Sequence, residues 1–190
     1  MNHFSKVLCL CATTAIATLP AIQAATIETY TATPGLAIPD GNPSGLASTQ
    51  TISTSITEIQ SVTATLEISG TFNGDLYAYL THGTGFAVLL NRTGRSAANS
   101  FGYDDDGFDV IFDDLAPVNI HNYQGTTIPT PGSPLTGTWQ PDGRTTDPDF
   151  VVDTDPPNAP LASFQTLDAN GGWTLFVADL SGGDGHTRMR

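Results

Sequence analysis

Little in this chain can bind it together covalently. Its two cysteines, Cys9 and Cys11, both fall within the first 24 residues, so the remainder has neither disulfide nor thiol chemistry. Basic charge is scarce too. Lys6 is the single lysine, and after residue 24 five arginines stand against all nineteen acidic residues, a formal charge of −14. A surface this acidic repels phosphate backbones, which argues against nucleic acid as a partner. No segment sustains a 3.6-residue apolar period, so helical folds are disfavoured. The apolar run near the start is too short for a membrane span and no second run of its length follows, so no transmembrane segment is expected in the mature chain. A Gly-x-Ser-x-Gly elbow, a P-loop and a His-Glu-x-x-His motif are all missing, and with them the common hydrolase, nucleotide and zinc-protease signatures.

What is present begins with an export signal. A short start carrying Lys6 precedes the apolar stretch Val7 to Leu19, and Ile22-Gln23-Ala24 closes it with residues acceptable at a signal peptidase site. Residues 1–24 therefore read as a signal peptide and 25–190 as one secreted or extracytoplasmic domain, with the cell surface as a further destination. Some 165 residues suffice for a core that needs no disulfide.

Short runs rich in Val, Ile, Thr, Tyr and Phe recur along that domain, separated by Gly, Pro, Asn and Asp. Strands are expected over Ile52–Ile56, Val62–Ile68, Leu76–Leu80, Ala87–Leu90, Phe108–Phe112 and Trp173–Ala178. In the second of these Val62, Ala64, Leu66 and Ile68 share a face, and in the last Trp173, Leu175 and Val177 do, with Trp173 as the largest core ring. Gly83 suits a tight turn between two of them. Short strands at this spacing point to an all-β jelly-roll-type sandwich. Residues 124–158, rich in Pro, Gly, Thr and Asp, read as a long acidic loop inside the domain.

Several of these pieces, in order, carry a resemblance. Ile38-Pro39-Asp40 precedes a first strand. Asn73-Gly74-Asp75-Leu76 follows the second, and Tyr79 to Thr84 with Val88-Leu89-Leu90 forms a hairpin. Phe112-Asp113-Asp114-Leu115-Ala116, Pro160-Leu161-Ala162-Ser163-Phe164 and Gly172-Trp173-Thr174-Leu175-Phe176-Val177-Ala178-Asp179 complete the series. From about Ala37 to Gly185 the chain resembles the P domain, or Homo B domain, of proprotein convertases and bacterial subtilisin-like proteases. The resemblance implies a P-domain or galactose-binding-like sandwich that is non-catalytic and packs on a protease domain or another exported protein. It also implies a final strand, which is expected to be missing because the sequence runs only to Gly185-His186-Thr187-Arg188-Met189-Arg190.

His82-Gly83-Thr84 matches the histidine motif of subtilisin-type catalytic domains, but no Gly-Thr-Ser nucleophile motif accompanies it. The expectation is therefore not an enzyme. His121 is expected in a solvated loop. The constellation to weigh is Asp104, Asp105, Asp106, Asp109 and Asp113, clustered around Gly107. Calcium takes six to eight oxygen ligands, and adjacent carboxylates relieve their repulsion by sharing a cation. A solvated acidic turn is the competing reading. Asp75 and Asp179, at strand ends, are weaker candidate ligands. Asp147, Asp149, Asp153 and Asp155 read as solvated, and Asn91-Arg92-Thr93 is a formal glycosylation sequon. Two functions follow: an accessory, protein-docking module, or a calcium-dependent jelly roll that binds carbohydrate, with Tyr77 and Tyr79 as a stacking platform.

Overall fold

The computed structural model describes residues 25–183 and 188–189; the expected signal peptide lies outside them. Eight strands follow in order: β1 Asn42–Ile52, β2 Ala64–Ser69, β3 Leu76–His82, β4 Gly85–Asn91, β5 Phe108–Phe112, β6 Leu135–Trp139, β7 Gly171–Asp179 and β8 Arg188–Met189. They make two four-stranded sheets, ordered β1-β7-β3-β4 and β6-β5-β2-β8. The all-β expectation holds. Every pair in the first sheet is antiparallel. In the second, β5 and β6 run parallel, which requires a long crossover. The segment from Asp113 to Pro134, with a 3-10 turn at Ile120–Gly125, supplies it.

Period-two alternation explains how the sheets meet. Leu66 and Ile68 of β2, and Phe108, Val110 and Phe112 of β5, turn inward, while Glu67, Asp109 and Ile111 turn out. They share one core with Ala78, Leu90 and Val177 of the first sheet and with Leu135 and Trp139 of β6. Two loop aromatics, Tyr123 and Phe164, are fully buried and fill the ends of that core. Each such side chain stabilises the fold by about 1.5–3 kcal/mol through burial alone. The β3–β4 hairpin is as expected: His82 opposes Gly85, and Gly83 adopts the left-handed φ of 57° that the turn needs.

Four expectations are corrected. The first strand lies at Asn42–Ile52 rather than Ile52–Ile56. Its partner β7 decides this, because Leu46 to Ile52 pairs continuously with Val177 to Gly171. Gly45 starts that run at φ 51°, where a Cβ would overlap the Val177 carbonyl and the Phe176 ring. Second, the acidic loop contains β6, whose Leu135 and Trp139 are buried. A glycine at its centre and threonines on either side hid the pattern. Third, Arg188–Met189 forms a short terminal strand against Ile68 and Ser69, with Met189 buried in the core. Fourth, Trp173 is only partly buried and lies against the core margin, whereas Tyr123 is fully enclosed.

Candidate functional site

The outward side of sheet β1-β7-β3-β4 is built by alternation from four strands. The pairing sets Ala47, Phe176, Tyr79 and Val88 in one row, and Thr49, Thr174, Thr81 and Phe86 in the next. Tyr77 lies two residues up β3 from Tyr79. The rings of Tyr79 and Phe176 stack at 4.8 Å and 15°. Phe86 packs on Tyr79 at 5.3 Å, and Tyr77 meets Tyr79 edge-on at 5.8 Å. Cross-strand aromatic pairs of this kind stiffen a sheet, so the two tyrosines are bracing one another as well as facing outward. Thr49 and Thr174 share a hydrogen bond of 2.8 Å between hydroxyls. None of these outward positions bears a charge in a chain of net charge −13. Partial burial, then the nearby Tyr79, Asp142 and Asp147, raise the Tyr77 phenol above its ordinary pKa.

Beside this face, under β4, lies a buried polar cluster that the sequence reading missed. His121 and Asp142 are fully buried, and Arg144 nearly so. His121 Nδ1 lies 2.8 Å from Asp142 Oδ2, and its Nε2 lies 2.9 Å from the Arg95 carbonyl oxygen. Arg144 Nη1 donates to Asp142 Oδ1 at 3.1 Å and to Asn119 Oδ1 at 3.1 Å. Asn91 Nδ2 donates to the carbonyls of Arg144 and Thr146, and the Asn91 amide donates to Asp142 Oδ2. The loop after β6 is thereby tied along β4, where Asp142 and Gly143 donate to the carbonyls of Leu89 and Val88. His121 is thus no solvated loop residue, and Asn91, buried and donating from its amide nitrogen, is a closed sequon. No pattern in the sequence pairs residues 91, 121, 142 and 144; only the tertiary contacts do.

The expected metal ligands go separate ways. Asp104 is exposed. Asp105 accepts from the Tyr123 hydroxyl at 2.6 Å and Gln124 Nε2 at 2.7 Å. Burial, then that bond to Asp105, pushes the Tyr123 phenol well above its ordinary range. Asp106 accepts from the Gly132 amide at 2.6 Å, Asp109 lies on the outer face of β5 opposite Glu67, and Asp113 accepts from Leu115 N at 2.9 Å. Asp75 pairs with Arg92 at 3.0 Å, and the buried Asp179 accepts from Ser181 N at 3.3 Å. Among the described residues, no three His, Cys, Asp or Glu side chains come together in a metal-ligating group. Asp147, Asp149 and Asp153 are exposed and Asp155 half-buried. His186, in the tail, lies outside the described residues.

His82 sits on the inward side at the end of β3, enclosed between Trp173 and the loop before β7. It therefore stands apart from His121 and Asp142. Among the described residues, no helix is long and apolar enough to cross a membrane. Compared with known proteins, the chain matched no family model, no curated protein and no solved structure.

Proposed function

We propose that this chain is a non-catalytic, exported module of the P-domain type, and that it docks on another exported protein through the outer face of β1-β7-β3-β4. One observation carries the reading. An uncharged stripe of Tyr77, Tyr79, Phe86 and Phe176, edged by threonines, lies half-buried on a chain that is otherwise strongly acidic. Aromatic and hydroxyl side chains of this type suit the centre of a protein interface, and charges suit its rim. The non-catalytic part is supported by the fate of the acid–base residues. His121 and Asp142 are sealed from solvent and saturated with internal partners, so neither can reach a substrate.

A second reading has its own support: the same stripe offers hydroxyls beside ring faces, a combination that recognises a neutral sugar. Calcium, the expected companion of sugar binding, belongs to this second reading only; docking needs none, and a melt that rises strongly with calcium would favour the second reading.

The test sets the wild-type chain against Tyr79→Ser and Phe176→Ser variants in calorimetric titrations. One titrant is a subtilisin-type protease domain exported by the same source, and the others are a panel of neutral glycans. Docking predicts binding to the protease domain that both variants weaken by tenfold or more. Glycan binding lost in the same variants would favour the second reading. Unchanged affinity in both variants would remove this face from the function.

A further inference from the structure

The two edges of sheet β1-β7-β3-β4 differ. Along β4 the chain after β6 supplies a cover: Asp142 N and Gly143 N donate to the Leu89 and Val88 carbonyls, and Val88 N donates to Ala159 O. Along β1 nothing comparable occurs. β7 pairs with Leu46–Ile52 on one side, and among the described residues no other backbone group bonds to that run. Alternate residues of such a strand turn an unpaired N–H and C=O outward, a template for a further strand. Open edges are commonly guarded by a lysine, an inward charge, a proline or a bulge. Leu46–Ile52 has none of these. No charged residue occurs from Gly41 through Thr57, in a chain of net charge −13, and Ala47, Thr49 and Thr51 are exposed.

The order of residues along that run is self-complementary. A two-fold axis normal to the sheet at Thr49 sets the strand antiparallel to its own copy, with both outward faces on one side. Thr49 then meets Thr49, Ala47 meets Thr51, Ser48 meets Gln50 and Leu46 meets Ile52 of the second copy. Small and hydroxyl side chains oppose one another on the exposed side, polar ones on the other, and aliphatic ones at both ends. Such pairs stabilise neighbouring strands. An axis displaced by one residue either way sets Leu46 against Gln50, or Ile52 against Ser48. Within each copy Thr49 already shares its hydroxyl hydrogen bond of 2.8 Å with Thr174, which opposes Thr81. The join therefore continues a row of threonines from one copy into the next. A foreign strand would have to match this order by chance, whereas a second copy matches it by symmetry.

We propose that the open edge of β1 is a self-association site, at which two copies of this chain join antiparallel about Thr49. Two four-stranded sheets thereby become one continuous sheet of twice the width. Backbone hydrogen bonds supply the attraction, and the like charge of the two copies opposes it until salt screens it. The association does not depend on what the aromatic face binds. It sets two such faces side by side, so that a partner with two matching sites is held by both.

The test is sedimentation equilibrium of the mature chain at low and at physiological salt. A monomer–dimer equilibrium is expected, shifted toward dimer by salt. Thr49→Glu opposes two carboxylates at the axis and should weaken the dimer by tenfold or more. Its circular dichroism and cooperative melt should match the wild type, because position 49 is exposed. The register is read by treating Thr49→Cys with a short bis-maleimide. Both native cysteines lie within residues 1–24, so the introduced thiol alone reacts in the mature chain. Residue 49 should cross-link to its copy, and Thr81→Cys, in the same row on an interior strand, should not. A monomer throughout the micromolar to millimolar range would overturn the proposal. So would a dimer that Thr49→Glu leaves intact, or one that cross-links no more readily through Thr49→Cys than through Thr81→Cys.

Discussion

At the scale of single residues, stability concentrates in carboxylates that accept from several donors. Asp142 holds His121, Arg144 and the Asn91 amide at once, all within the interior. Asp142→Ala would leave a buried guanidinium and a buried histidine without the carboxylate they share. The expected loss is about 3–5 kcal/mol, read from chemical denaturation. A loss below 1 kcal/mol would mean that water enters and replaces the carboxylate. Tyr123 is a milder case. Its hydroxyl donates to Asp105 and accepts from Asn73 Nδ2 at 3.2 Å, while its ring fills the core. Tyr123→Phe keeps the ring and removes one bond from each partner, while Asp105 keeps Gln124 and Asn73 keeps the Gly107 carbonyl, so a cost of about 0.5–1.5 kcal/mol is expected. The same buried geometry predicts that Asn91 in the folded chain is not modified by an oligosaccharyltransferase, which mass spectrometry after expression in a glycosylating host would check.

At the scale of elements, β1 is the strand whose existence depends most on a neighbour. Its opening, Asn42-Pro43-Ser44-Gly45, has the composition of a loop, and the register with β7 shifts between Asn42 and Leu46. Gly45 permits this by bringing its backbone against Val177 and Phe176 at a left-handed φ. Gly45→Val adds a branched side chain at both a strained dihedral and a close contact. It should cost more than about 2 kcal/mol and raise hydrogen exchange selectively in Leu46–Ile52, leaving β2–β5 protected. Exchange unchanged in β1 would show that the strand tolerates displacement there. The parallel β5–β6 pair teaches the reverse lesson. Its inward residues Leu135 and Trp139 are four positions apart at the ends of a threonine-glycine run, so burial defines the strand while composition conceals it.

At the scale of the whole molecule, the excess of acidic charge is spread over surface and interior. The acidic run from Asp104 to Asp113 is divided among a phenol, an amide side chain and backbone N–H donors. These donors already satisfy oxygens that calcium would need. A thermal melt in EDTA and in millimolar calcium is thus expected to give the same midpoint beyond what matched ionic strength explains. A large rise with calcium, removed by Asp105→Asn with Asp106→Asn, would reinstate a metal site at that turn. Neutral salt should itself raise the midpoint modestly, since screening relieves the mutual repulsion of a chain of charge −13.

The composition and the period-two runs determined by themselves that the chain is all-β and where most strands lie. β2, β5, β7 and the β3–β4 hairpin were legible because their apolar alternation and turn glycines are local properties. The aromatic face was half legible: Tyr77 and Tyr79 share a side of β3 by simple alternation, but Phe86 and Phe176 join them only through strand order. The tertiary structure alone decided β1, β6 and the short β8, each of which is a strand because a partner edge satisfies its backbone. It also decided the fate of the polar residues. Whether an aspartate is a metal ligand, a solvated charge or the centre of a buried network depends on which donors the fold brings within about 3 Å. Residues 91, 121, 142 and 144, and likewise 82, 168 and 172, meet through sheet order and loop closure. Sequence spacing carries no trace of either.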